Sequence, residues 1–144
     1  MDSTCGPGVY PRTQTIFIKE LLTPQSNQDS LELALDAALD KKARDVVVLD
    51  LEGLCSFSDS FVICSGTSVR QTQSIADNID EKLRQARIRP VHIEGYSEGG
   101  WILMDYLDFV VHIFTERTRE FYDLERLWRA GKRREIREPA RREA

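Results

Sequence analysis

Apolar positions first recur at Leu31, Ala34, Leu35, Ala38 and Leu39, the spacing of one helical face. Asp29 is placed to cap that helix and Glu32 to reach back to the cap. The period then changes. Residues 45–51 (DVVVLDL) are β-branched and mostly apolar, as in a strand covered on both faces, and residues 61–64 predict a second, shorter strand. Ser65, Gly66 and Thr67 turn the chain, and Ser68 with Gln71 makes a further capping box. Val69, Thr72, Ala76, Ile79, Leu83 and Ala86 stripe a helix of about 20 residues, which Pro90 ends.

The second half reads as strands followed by a helix. Residues 91–93 predict a short strand, residues 95–100 a glycine-containing loop, and the runs WILMDY (101–106) and FVVHIFT (109–115) two further strands. Only Leu107 and Asp108 separate these runs, which predicts a hairpin, although the pair is not the Asn-Gly or Asp-Gly that so tight a turn favours. A last amphipathic helix is expected over 118–130, with Phe121, Leu124, Leu127 and Trp128 inward and Gly131 placed to stop it. The order α, β, β, α, β, β, β, α defines an α/β fold, a mixed β-sheet of about five strands flanked by helices.

Composition divides the chain into three parts. Residues 1–28 hold Pro7, Pro11 and Pro24 with little apolar periodicity and predict a mobile extension. Arg12 and Lys19 are its only basic residues, too few for a typical transit peptide. Residues 29–130 form the expected domain, and 131–144 a basic tail. From Arg126 onward eight Lys or Arg stand against Glu135, Glu138 and Glu143, a local charge of +5, so the rest carries −9 within a net charge of −4. An acidic body suits a partner with a basic surface and argues against wrapping nucleic acid, whose phosphates need clustered Lys or Arg. The tail reads more simply as a solvated end than as a phosphate contact. No run reaches the roughly 18–20 apolar residues of a membrane span, so a soluble protein is expected. Cys5, Cys55 and Cys64 are an odd number with no CxxC pair, which supports neither a disulfide scaffold nor a structural zinc site.

Candidate chemistry is sparse. The turn SGTS (65–68) before a helix resembles an anion cradle, but the P-loop lysine and GxGxxG are absent, and no Asp-x-Asp follows to hold catalytic metals. A structural helix start is the simpler reading. Asp77, Asp80 and Glu81 fall on the solvent side of their helix and receive no catalytic role. His92 and His112 lack a nucleophile in a recognisable elbow; a Cys64–His112 pairing across adjacent strands is geometrically open, and a plain sheet histidine is favoured. Alternation puts Trp101, Leu103 and Asp105 on one strand face and Ile102, Met104 and Tyr106 on the other. An acid then shares a surface with a tryptophan. Either this is a protein-binding hot spot, with the carboxylate meeting an incoming Arg or Lys, or Trp101 packs under the glycine loop while Asp105 caps the hairpin.

The run WILMDYLDFVVHIF followed by RTREFYDLERLW resembles the signature of the ribosomal silencing factor family (RsfS, also called Iojap), approximately W-x-L-x-D-x-G-D-x-V-x-H-x-F and then R-x-x-Y-x-L-E-x-L-W. The likeness extends upstream through LALDAALDKKARDVVVLDL and FSDSFVICSGTS, so it covers about residues 29–130. It implies a nucleotidyltransferase-like fold without the catalytic metal site, no enzymatic activity and no cofactor. The implied function is translational repression: binding to the large ribosomal subunit through its fourteenth protein and steric blocking of small-subunit joining. Trp101, Leu103, Asp105, Asp108 and His112 match the first motif, which implies docking roles for the Trp and Asp residues and a supporting one for His112. Tyr122, Leu124, Leu127 and Trp128 match the second and are expected in the core, with Glu125 undecided. Leu107 departs from the family pattern, which has glycine there. The resemblance also makes a homodimer plausible, places the protein in the cytoplasm, and leaves a ribosomal RNA contact by the basic tail open. A nucleotidyltransferase-like enzyme and a ribosome assembly factor are the alternatives.

Overall fold

The computed structural model describes residues 27–55 and 58–136, so nearly all of the expected N-terminal extension and the end of the tail lie outside the described residues. The first helix, α1 (Asn27–Asp40), starts two residues before the expected cap, which places Asp29 in its first turn, where negative charge suits the amide end. Leu31, Ala34, Leu35, Ala38 and Leu39 are all buried, as their spacing predicts. Strands β1 (Arg44–Asp50) and β2 (Ser60–Gly66) follow, then α2 (Val69–Gln85). Ser68 caps α2 by accepting the Gln71 amide proton at 3.1 Å. Thr72, Ala76, Ile79 and Leu83 point inward as expected, joined by Ile75, whereas Val69 is largely exposed. The C-terminal half holds β3 (His92–Glu94), β4 (Trp101–Asp105), β5 (Phe109–Thr115), α3 (Glu116–Tyr122), the single-turn α4 (Leu124–Leu127) and β6 (Lys132–Ile136).

Among the described residues the strands make one mixed sheet of six in the order β3-β4-β5-β2-β1-β6. Its one parallel pair, β2 with β5, lies at the centre; the other pairings are antiparallel. The α/β reading therefore holds, with one strand more than expected. That strand falls in the stretch read as a solvated tail. Lys132–Ile136 lines up against Val46–Asp50 because its basic side chains find acids on the body: Arg133 reaches Glu125 at 2.7 Å and Arg134 reaches Glu32 at 3.1 Å. Ile136 packs against the core from the same strand. A run of charges with one apolar residue predicts a solvent-facing stretch, yet it has the composition that edge strands carry.

The final helix also differs from the expectation of one continuous element. Asp123 adopts the left-handed conformation (φ 48°, ψ 52°) and splits it into α3 and α4. Asp tolerates this region better than most residues. The break rotates Leu124 and Trp128 onto the sheet while Phe121 (79% exposed) and Leu127 (73%) face outward, a correction to the predicted inward set.

Side-chain alternation splits the core in two. Val46, Val48, Val62, Cys64, Ile102, Met104, Val111 and Ile113 lie on the face that α1 and α2 cover. Val47, Leu49, Phe61, Ile63, Val110 and Phe114 lie on the other, packed by Trp101, Leu103, Leu124 and Trp128. Each fully buried Leu, Ile or Phe stabilises the fold by roughly 1.5–3 kcal/mol. Both faces are apolar, so the strands look continuously hydrophobic in sequence.

Candidate functional site

The site lies on the second face, where β4 and β5 run antiparallel and set Leu103 opposite His112 and Trp101 opposite Phe114. The glycine loop holds the start of β4. At Gly95, whose φ is +79°, an added Cβ would collide with the Trp101 carbonyl oxygen, so the loop closes over the strand only because no side chain is there. Thr72 anchors the same loop from α2 by donating to the Gly99 carbonyl at 2.7 Å.

Trp101 is partly buried. Its ring centre lies 5.0 Å from that of Phe114 and 4.8 Å from that of Tyr122, and its indole N–H donates to His112 Nδ1 at 3.1 Å. His112 is only 4% exposed, and burial pushes its pKa down to about 3, so the ring is neutral at physiological pH. Its Nε2 is buried without a hydrogen-bond partner among the described residues. Cys64 does not meet it: in the parallel register His112 lies beside Ile63, and Cys64 beside Ile113 on the opposite face. Burial also raises the Cys64 thiol to about 12, which removes it as a nucleophile.

Asp105 shares the Trp101 face, as alternation requires, and is partly exposed. One carboxylate oxygen accepts the Leu107 amide proton at 2.8 Å, capping the hairpin, and the other lies 3.9 Å from His92 Nδ1. The hairpin-capping role expected for Asp105 is thus present. Asp105 both closes the turn and edges a groove of about 310 Å³ whose walls are Leu103, Val110, Leu124 and Trp128. Glu94 stands on the same rim, 3.2 Å from His92 Nε2. His92, Glu94, Leu124 and Trp128 were not among the sequence-derived binding residues. The strand order that brings β3 beside β4 was the missing information.

Asp108 is placed apart from this groove. It is exposed and lines a separate concavity with Asp50, Asp59 and Lys132, while its backbone oxygen accepts the Asp59 amide proton at 3.0 Å. The hairpin forms with the predicted two-residue turn, closed by the Tyr106 amide donating to the Phe109 carbonyl at 2.9 Å. Leu107 has φ +73°, the conformation for which the family pattern uses glycine, and its side chain is 62% exposed. The departure therefore costs strain, roughly 1 kcal/mol, without moving the strands.

Below the site, Arg119 fixes the split helix. It donates to both Glu125 oxygens at 3.0 and 3.1 Å, to the Asp45 carbonyl at 2.8 Å and to Ser65 Oγ at 2.8 Å. Asp45 sits at an irregularity in β1 (φ +50°), and the guanidinium satisfies its carbonyl. Burial acts to raise the Glu125 carboxyl, but Arg119 and Arg133 together hold it below its ordinary range. Glu125, undecided from sequence, is thus a clamp between α3, α4 and β6. The SGTS turn is likewise occupied by the chain itself: the Thr67 amide donates to Gln71 Oε1 at 2.6 Å, and Gln71 Nε2 donates to the Lys41 and Lys42 carbonyls. Among the described residues no group of His, Cys, Asp and Glu is arranged to hold a metal ion, and no helix is long and apolar enough to cross a membrane.

The class defined by these features is a mixed α/β domain whose sheet is covered by helices on one face and keeps an acid-rimmed groove on the other. A family model described as ribosomal silencing factor during starvation matches residues 24–144, and the chain belongs to that family. It is 42% identical over 103 residues to the ribosomal silencing factor RsfS of Halalkalibacterium halodurans, covering 72% of this chain and 88% of that protein. A crystal structure of a Chromobacterium violaceum protein, 32% identical, superposes with a TM-score of 0.72 over 83% of this chain and 100% of that one. A longer mouse protein named mitochondrial assembly of ribosomal large subunit protein 1 is 30% identical over 101 residues, which are 68% of this chain and 44% of that protein.

Proposed function

We propose that this chain is a noncatalytic translational repressor that docks on the large ribosomal subunit, through its fourteenth protein, and by its bulk prevents the small subunit from joining. The observation that carries this reading is the groove along Leu103 and Trp128, apolar along its walls and rimmed by Asp105 and Glu94. Such a surface fits a basic protein partner: the apolar walls supply buried area, and the acids select a cationic side chain. The names of the relatives, ribosomal silencing factor and mitochondrial assembly of ribosomal large subunit protein 1, support a ribosomal partner. In the same reading Trp101, Leu103 and Asp105 make the contact, and His112 supports it from beneath. Asp108 contributes at the neighbouring concavity, and the basic tail, apart from Arg133 and Arg134 whose guanidinium groups pair with Glu125 and Glu32, contacts ribosomal RNA phosphate.

The protein should cosediment with isolated large subunits, be absent from joined ribosomes, and lose the association on Trp101→Ala or Asp105→Arg. Retention by both variants, each still folded, would sink the proposed face. A second reading follows from the name of the mouse relative: occupation of the same ribosomal surface during maturation. Subunit profiles from a deletion strain separate the two. Accumulated precursors of the large subunit indicate assembly, and excess joined ribosomes with normal precursors indicate repression.

A further inference from the structure

Two acids stand on the rim of the open groove, and a histidine stands between them. In the antiparallel register His92 on β3 lies opposite Asp105 on β4, and Glu94, two residues along β3, shares the same face. His92 Nε2 is 3.2 Å from Glu94 Oε2, and its Nδ1 is 3.9 Å from Asp105 Oδ2. The imidazole is about half exposed, so protons reach it from solvent. Asp105 Oδ1 is committed to the Leu107 amide, which leaves Oδ2 to face either His92 or an incoming group. No residue that β2, β5 or the split helix contributes to the lining is charged at neutral pH: the one titratable group among them, His112, is held by burial at about 3. Histidine is the side chain whose charge ordinarily changes between pH 5 and 8, so acidification acts on this groove through His92.

We infer that His92 is a proton-operated gate on this groove: once protonated it serves Asp105 and Glu94 as an internal cation, in the place a basic group of a docked partner would take, and docking weakens as the medium acidifies. The inference rests on the docking reading above and adds its regulation. The neutral ring carries one proton, and the nearer carboxylate, Glu94, favours it on Nε2. The second proton then arrives on Nδ1, the nitrogen that faces Asp105 Oδ2, and makes a charge-assisted contact with the oxygen left open by the hairpin cap. Exposed pairs of this kind add little to stability. Their effect falls on binding, because an imidazolium beside Asp105 repels a second cation and offsets one of the rim's two negative charges. By linkage, a partner that needs both acids must expel this proton as it docks.

The gate is read by binding to isolated bacterial large subunits at about pH 7.4 and about pH 5.8, at constant ionic strength. Titrating groups of the ribosome affect every variant alike, so the comparison between proteins is the readout. Wild type should lose about 4-fold more affinity between the two conditions than His92→Gln, which cannot take up the proton. His92→Lys, with a permanent cation at the gate, should bind weakly in both conditions and lack the extra loss. The Glu94→Gln, Asp105→Asn double variant should lack it as well. Calorimetry midway between the two conditions, in buffers of different ionisation enthalpy, should show wild type releasing more protons on binding than H92Q, a signature that a purely structural histidine does not give. Thermal melting in both conditions establishes that each protein is folded. Equal pH dependence in wild type and H92Q, equal proton release, or tight binding by H92K overturns the gate and leaves the docking face in place. Failure of wild type to bind large subunits at about pH 7.4 overturns the docking reading and this inference with it.

Discussion

The two faces of the sheet carry the same kinds of apolar side chain but are covered to very different depths. On one, α1 and α2 lie side by side and bury Val48, Val62, Ile102 and Ile113 under two full helices. On the other, among the described residues, the short helices from Glu116 to Leu127 give thinner cover, through Tyr122, Arg119, Leu124 and Trp128, and Leu103 and Trp101 stay partly open. The first face is built for stability. The second gives up burial so that an aromatic surface, a neutral histidine and two acids meet at a groove. Apolar patterning alone does not separate a fully covered face from a partly open one; what distinguishes them is the number of residues available to cover each.

The two faces should fail in different measurements. The largest effect is expected from Ile79→Ala on the covered face, a loss of about 2–5 kcal/mol in urea unfolding with subunit binding unchanged in the folded fraction. Next comes Asp105→Arg on the open face, which should weaken large-subunit binding by about 2 kcal/mol, roughly 30-fold, and cost less in stability. A binding loss for Ile79→Ala as large as that for Asp105→Arg would erase the distinction.

Acid should sharpen the contrast further. Burial lowers His112 from 6.5 to about 3, so as pH falls the unfolded chain takes up this proton before the folded one does. The stabilisation is complete above about pH 6.5 and declines by up to about 1.4 kcal/mol per pH unit as the pH drops toward 3. Glu125, whose pKa is depressed in the fold, adds a loss of the same sign that begins below its ordinary 4.5. Unfolding midpoints measured from pH 7 to 4 should therefore fall steeply in wild type and less steeply in His112→Gln. The smallest effect is expected at the hairpin, where Leu107→Gly relieves the positive φ and should stabilise by about 0.5–1 kcal/mol without weakening binding. A destabilised glycine variant would mean that the exposed leucine packs usefully after all.

Much of the architecture was legible because local patterning and packing agree. Both long helices and all five expected strands occur, and the strand alternation put Trp101, Leu103 and Asp105 on one face correctly. The misreadings share a cause, which is that the deciding partner is distant in sequence. Lys132–Ile136 becomes a strand because Glu32 and Glu125 receive its arginines, and nothing within the segment signals that. The break at Asp123 is paired with the Arg119 fork onto Glu125 and Asp45, so a heptad count that ignores them runs straight through it. For the site, residues of β4 and β5 were identifiable from their motif. Glu94 and His92 entered only through the pairing of β3 with β4, and no periodicity in a three-residue strand reveals its neighbour.

The position of β6 in the order of synthesis carries a cost. Its partner β1 emerges early, and roughly 80 residues must be added before Lys132 appears, several seconds at ordinary elongation rates. Throughout that interval the outer margin of Val46, Val47 and Val48 has no strand to pair with, in a nascent chain surrounded by others like it. The arginine-rich closing strand is thus a late seal, and shortening the chain from its C-terminal end should show itself first as aggregation during expression, ahead of any defect in translation control.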